Sequence, residues 1–244
     1  VDTDSGASFS TTTSASFGAD FVIGAVDGAG YLKEATTFDY QYGMSLSTSF
    51  TGEDSLDLVI ETGGGASGSA TTSASILDMN AMGDTMTLDG ITYTFPLGDA
   101  LTVMVGDSTD VSALYSTACT YSAFTDLLSD CGTGNIGGQA DSAVAASYDF
   151  GNGFSTAAGA QFTETGIATE ETNDAYALNV AYTGDNYGVS VTYAMTETGV
   201  DGVDNDTYTA LNGYYSFDNG LSISAGIETG DLDNHDANTD ESES

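Results

Sequence analysis

The sequence predicts an all-β fold, an up-and-down antiparallel transmembrane β-barrel with roughly twelve visible strands. Three observations predict it. Large apolar and small polar residues alternate strictly over most of the chain. Tight-turn signals and long connections take turns along it. Aromatic residues gather beside the tight turns.

Alternation is clearest from Phe38 to Phe50, where Phe38, Tyr40, Tyr42, Met44, Leu46 and Phe50 share one face. Asp39, Gln41, Gly43, Ser45, Ser47 and Ser49 share the other, which is the pattern of a strand wetted on one side. The period recurs in Leu56–Ile60, Ile91–Phe95, Leu101–Val105, Val144–Phe150, Tyr176–Tyr182, Tyr187–Tyr193 and Leu221–Ile227. Short turns are expected at Thr51-Gly52-Glu53-Asp54, Leu97-Gly98-Asp99, Gly151-Asn152-Gly153, Gly184-Asp185-Asn186 and Asp218-Asn219-Gly220, where Gly, Asn and Asp accept positive φ. A further turn near Phe17-Gly18-Ala19-Asp20 is expected to pair a weak first strand with Ala19–Val26. Longer connections fall at 27–35, 64–85, 107–141, 163–173 and 197–206.

Six hairpins joined short-long-short-long put all short turns at one end of the sheet, as in outer-membrane barrels. Phe17, Phe21, Phe50, Phe95, Phe150, Phe154, Tyr182, Tyr187 and Phe217 would then line one rim as half of an aromatic girdle. A soluble β-sandwich or solenoid is the alternative, although Greek keys do not require short and long connections to alternate.

Charge restricts function. The chain has 37 Asp plus Glu against one basic residue, Lys33, for a formal net charge of −36. Neutralising phosphates is therefore impossible, which excludes nucleic-acid partners. Carboxylates without salt-bridge partners must reach water, backbone N–H groups or metal cations. In a barrel the apolar face meets lipid and the small polar face a water-filled lumen. Pore-lining candidates are Asp39, Asp57, Glu61, Asp149, Gln161 and Asn179. Carboxylates unopposed by arginine would favour cations, the plainer reading being that they keep the lumen hydrated.

The 107–141 connection is long enough to expect either a constriction folded into the barrel mouth or an exposed cap, with Phe124, Leu127 and Leu128 as an apolar anchor. Cys119 and Cys131 within it read as a local disulfide, and hence an oxidising compartment; two buried thiols are the alternative. Asp201, Asp204, Asp206, Asp231, Asp233 and Asp236 could gather calcium weakly, although the EF-hand pattern fails from Asp231 onward. No catalytic residues are expected. His235 is the sole histidine and sits in the acidic tail, and no phosphate-cradling loop opens a helix.

Specific stretches stand out, namely Ser47-Thr48-Ser49-Phe50-Thr51-Gly52-Glu53-Asp54-Ser55-Leu56 and Leu88-Asp89-Gly90-Ile91-Thr92-Tyr93-Thr94-Phe95-Pro96-Leu97-Gly98-Asp99. The surroundings of Cys119 and Cys131, and Tyr148-Asp149-Phe150-Gly151-Asn152-Gly153-Phe154, belong with them. In combination they resemble cyanobacterial (marine-type) outer-membrane porins, a branch related to the carbohydrate-selective porins. The resemblance covers roughly residues 15–230. It implies a homotrimeric barrel of about sixteen strands in the outer membrane, passing ions and small solutes; no cofactor is expected beyond possible calcium.

On this reading residues 1–230 form the barrel, possibly incomplete at its C-terminal end, and 231–244 an acidic loop or tail. The expected function is passive diffusion of ions and small hydrophilic solutes, favouring cations. The alternative is an acidic extracellular surface-layer or filament protein of stacked β-hairpins bridged by calcium.

Overall fold

The computed structural model describes residues 12–25, 36–64, 83–109, 111–115, 140–163, 166–167, 172, 174–197 and 205–231. Among them are eleven strands: β1 (Thr13–Ala25), β2 (Thr36–Thr48), β3 (Ser55–Gly63), β4 (Thr87–Leu97), β5 (Leu101–Thr109), β6 (Ala140–Asp149), β7 (Phe154–Phe162), β8 (Ala175–Thr183), β9 (Tyr187–Thr196), β10 (Asp206–Ser216) and β11 (Ser222–Asp231). A 3-10 turn at Val111–Leu114 is the only helical element among the described residues. Strand order follows chain order, and every pair with a defined register is antiparallel. The expected up-and-down β architecture is therefore present.

The eleven strands among the described residues stand close to the roughly twelve expected, but the turn expected near Phe17-Gly18-Ala19-Asp20 is absent. β1 runs unbroken through 17–20, with Thr13 opposite Thr48 and Ala25 opposite Thr36. Gly18 is absent from the residues with positive φ and simply faces Gly43. The alternation Phe17, Ala19, Phe21, Ile23 crosses this point without a phase change, so the ladder overrides the local turn signal. Phe17 and Phe21 leave the expected rim for the same reason. Phe21 stacks on Phe38 at 6.2 Å, towards the long-connection end of β1 and β2.

The chain divides into two compact units. The first holds β1 to β3 and β4 as far as Tyr93; the second begins at Thr94 and holds β5 to β11.

In the first unit the β2–β3 turn is organised by Asp54. Its Oδ1 accepts from Phe50 N at 3.0 Å, Thr51 N at 2.7 Å, Ser49 Oγ at 2.7 Å and Thr51 Oγ1 at 2.7 Å. Its Oδ2 accepts from Tyr93 Oη at 2.7 Å, which ties the turn to β4. Gly52, at φ 93°, closes the loop with its N–H on Ser49 Oγ at 2.8 Å. The Thr51 amide, together with the hydroxyls of Tyr93, Ser49 and Thr51, holds the Asp54 carboxyl far below the usual carboxylate range, against the opposing effect of burial. Phe50 packs on Tyr93 at 6.2 Å, an aromatic contact where the turn signal predicted one.

In the second unit the short turns carry a longer aromatic row. Ring centroids lie 4.9 Å apart for Tyr148–Phe150, 4.8 Å for Phe154–Tyr182, 5.6 Å for Tyr182–Tyr187 and 4.8 Å for Tyr215–Phe217. Gly153 permits part of this packing. It has φ 87°, accepts from Thr183 N at 2.8 Å, and a Cβ there would lie 2.7 Å from Thr183 O. Gly153→Ala combines a left-handed backbone with a backbone clash, so a loss of about 1–3 kcal/mol is expected, measured by urea unfolding in detergent.

Both units bury the opposite side from a water-soluble sheet. Large apolar side chains are exposed, from Ile23 at 71% in the first unit to Ile227 at 61% in the second. The interior of the second unit is Met104, Ala143, Ala145, Ala157, Ala177, Ala181, Ala194 and Ala210 with Asn179, Ser190, Thr192 and Asn212.

Candidate pore-facing site

Register places the chemistry on the face opposite the large apolar side chains. In the first unit Gln41 Nε2 donates to Asp20 Oδ2 at 3.0 Å across β1 and β2. Asp39 lies on the same face of β2, is 3% exposed, and accepts from Thr37 Oγ1 at 2.9 Å. Ser47 opposes Asp57, whose Oδ2 accepts from Ser55 Oγ at 2.7 Å, and Gly43 opposes Glu61. A Cβ at Gly43 would sit 3.8 Å from Glu61 Oε1, an ordinary contact distance, so that carboxylate lies beside the Gly43 backbone. Four acids therefore share one face: Asp20, Asp39, Asp57 and Glu61. Asp20 escaped the sequence reading because it was assigned to a turn; unbroken alternation through Phe21 and Ile23 was the available signal.

In the second unit the inward face is layered. One row across β5 to β11 reads Thr102, Ser147, Ala157, Asn179, Thr192, Ala210 and Glu228. The row nearer the short turns holds Asp149, Ser155, Ala181, Ser190 and Asn212. On the other side lies an apolar row of Met104, Ala145, Gly159, Ala177, Ala194 and Tyr208, followed by Ala143, Gln161, Ala175, Thr196 and Asp206.

The three expected second-unit residues thus sit on this face at different depths. Asn179, 0% exposed, donates from Nδ2 to Thr192 Oγ1 at 3.0 Å. Gln161 is buried, whereas Asp149 is exposed at the end of β6 and accepts from Gly151 N at 2.7 Å. Asn179 Oδ1, Ser155 Oγ and Ser190 Oγ are buried and have no hydrogen-bond partner in the protein.

The chain after β5 turns onto this face. The 3-10 turn packs against β5, β6 and β7, and Leu114 and buried Tyr115 join the cluster of Met104, Ala145, Ala177, Ala194 and Tyr208. A cleft of about 530 Å³ lies beside it, lined by Thr102, Leu114, Tyr115, Ser147, Asp149 and Ser155 among others. The connection is bounded by Thr109 and Ala140, inside the expected 107–141. Sequence reading missed the anchor formed by Leu114 and Tyr115; Phe124, Leu127 and Leu128 lie outside the described residues.

So do Cys119, Cys131, Asp201, Asp204, Asp233 and Asp236. Of the expected calcium ligands Asp206 begins β10 and Asp231 ends β11, next to each other at the long-connection end because Thr207 opposes Asp231. Among the described residues no group of three or more acid, His or Cys side chains is arranged to hold a metal.

No family model matches the sequence, and no curated protein matches it either. Solved structures do match in fold. A mutant of Rh. blastica porin aligns at TM-score 0.58 and 11% identity over 91% of this chain and 75% of that one. A triple mutant of Rhodopseudomonas blastica porin aligns at TM-score 0.55 and 10% identity, again over 91% and 75%. A further Rh. blastica porin mutant gives TM-score 0.52 and 12% identity over 88% of this chain and 73% of that one. The antiparallel strands, the taking of turns by short and long connections, and these alignments together give the chain a porin-type β fold.

Proposed function

We propose that this chain is an outer-membrane diffusion channel that passes ions and small hydrophilic solutes passively and favours cations. The observation that carries the reading is the inverted burial. Val180, Val191, Leu211 and Ile227, aligned across β8 to β11, are all exposed, while the opposite side chains are small or polar. In water such a row would forgo about 1.5–3 kcal/mol per side chain, and soluble monomers rarely expose so large an apolar surface. In lipid it is the required arrangement, with polar groups turned to a hydrated interior. The likeness in fold to porins supports the reading.

Cation preference rests on charge. Asp20, Asp39, Asp57 and Glu61 share the interior face of the first unit, and Asp149 lines the cleft beside Tyr115 in the second. The whole chain offers one lysine and no arginine to oppose them. The channel needs no cofactor and no catalytic group. The motif resemblance adds a homotrimer of the cyanobacterial branch to the proposal.

Reversal potential in a planar bilayer under a KCl gradient tests the preference. The wild-type chain is expected to reverse towards the potassium equilibrium potential. The combined variant Asp20→Asn, Asp39→Asn, Asp57→Asn, Glu61→Gln should lower the cation-to-anion permeability ratio by roughly threefold or more. A reversal at the chloride potential, or no response to the four substitutions, contradicts the preference.

A further inference from the structure

Asp174 stands immediately before β8 and its side chain is 0% exposed. Its backbone is fixed on both sides, with its N–H on Thr172 O at 3.1 Å and its carbonyl accepting from Glu197 N at 2.7 Å. The carboxylate is poorly served by comparison. Oδ1 lies 3.5 Å from Thr172 Oγ1, a hydroxyl that already donates to the Gly166 carbonyl. Oδ2 has no hydrogen-bond partner at all.

A second carboxylate is close by. The Glu197–Asp174 backbone hydrogen bond continues the β8–β9 ladder beyond the Ala175–Thr196 pair, which sets Glu197 opposite Asp174. Cross-strand neighbours have Cβ atoms about 4.5–5.5 Å apart, and like charges so placed repel. The Tyr176 phenol lies within electrostatic range of both carboxylates, and its ring packs edge-on against Phe162 at 6.3 Å. No second basic side chain exists anywhere in the chain to supplement Lys33. A carboxylate removed from water with one long hydrogen bond on Oδ1 and none on Oδ2, opposite another acid, is stabilised by a positive charge beside it.

We propose that Asp174 and Glu197 hold a hard divalent cation at the long-connection end of β8 and β9, with oxygen from Thr172 and Gly166 completing its shell. The donors are all oxygen, from carboxylate, hydroxyl and carbonyl groups on an irregular connection; that set suits calcium better than the strict octahedron of magnesium. The ion cancels the repulsion between the two acids, satisfies Asp174 Oδ2 and ties Gly166 and Thr172 to the end of β8. Asp206 opposes Thr196, the neighbour of Glu197, and so falls on the other face of the sheet; the site does not depend on channel activity.

The test uses the full chain folded in detergent and stripped with EDTA. Calcium titration by calorimetry is expected to show one tight site above a background of weak ones. Asp174→Asn and Glu197→Gln should each weaken that site at least tenfold. Terbium bound there should emit through Tyr176, so Tyr176→Phe dims the emission while leaving calcium affinity within about twofold. If Asp174→Asn fails to fold, Glu197→Gln and Tyr176→Phe still decide the matter. The proposal is overturned if the tight site survives both acid substitutions, or if no tight site exists. It is equally overturned if Asp174→Asn raises the calcium-free unfolding temperature without changing calcium affinity, because a bound proton then does the neutralising.

Discussion

Val191→Arg is expected to prevent folding into a bilayer. Val191 lies midway along β9, opposite Val180 on β8 and Leu211 on β10, and its side chain is already exposed. On a water-soluble sheet an arginine there would be harmless, since nothing has to move to admit it. On a lipid-facing row it places a guanidinium near mid-depth, at a cost of about 2–4 kcal/mol, with no carboxylate on that row to pair with. Folding into liposomes, followed by the mobility of the unheated protein on a denaturing gel, measures the effect. The control is Glu53→Arg in the exposed β2–β3 turn, which should fold like the wild type. Equal folding of Val191→Arg and Glu53→Arg would place the apolar face in water.

Asp54→Asn is expected to loosen the β2–β3 turn and lower the unfolding temperature by about 5 °C or more at neutral pH. The substitution keeps the shape of the side chain but replaces one oxygen with a donor. Either Tyr93 Oη or the group of amide and hydroxyl donors from Ser49, Phe50 and Thr51 then loses its acceptor. The pH dependence follows from the sign of the shift. The folded carboxyl titrates below its unfolded value of about 4, so its contribution is complete above that pH and is lost only as pH falls further. The difference in unfolding temperature between wild type and Asp54→Asn should be constant from about pH 5 upward and shrink below about pH 4. A difference that grows on acidification would contradict the assigned role.

These two residues also show what was legible in the sequence. The β9 row could be read from period two alone, because a strand has only two faces and its large side chains all fall on one. Asp54 was visible as a turn residue, but its reach to Tyr93 was not: that bond joins the turn to the next strand but one in sequence, whose register local sequence does not state. Asp20 shows the opposite failure. A Gly-Ala-Asp triplet looks like a turn, yet the long β1–β2 ladder holds it extended and turns its carboxylate towards Gln41. The interior face of the second unit is legible from the sequence as the face of small and polar side chains. Alternation identifies a face but not what lies over it, and there Leu114 and Tyr115 cover an alanine row beside polar residues that stay buried. Asp174 was not singled out, because it is one acid among 37 and only burial distinguishes it.

The central claim, that the exposed apolar face meets lipid, is tested most directly by spin-label accessibility in liposomes. Leu178→Cys on the exposed face carries the nitroxide, with Ser at Cys119 and Cys131, and Glu53→Cys provides the turn reference. The account predicts that the label at 178 is relaxed by oxygen, which concentrates in the hydrocarbon, and shielded from a water-soluble nickel chelate, with the reverse at 53. A label at 178 as open to the nickel chelate as the one at 53 would contradict it.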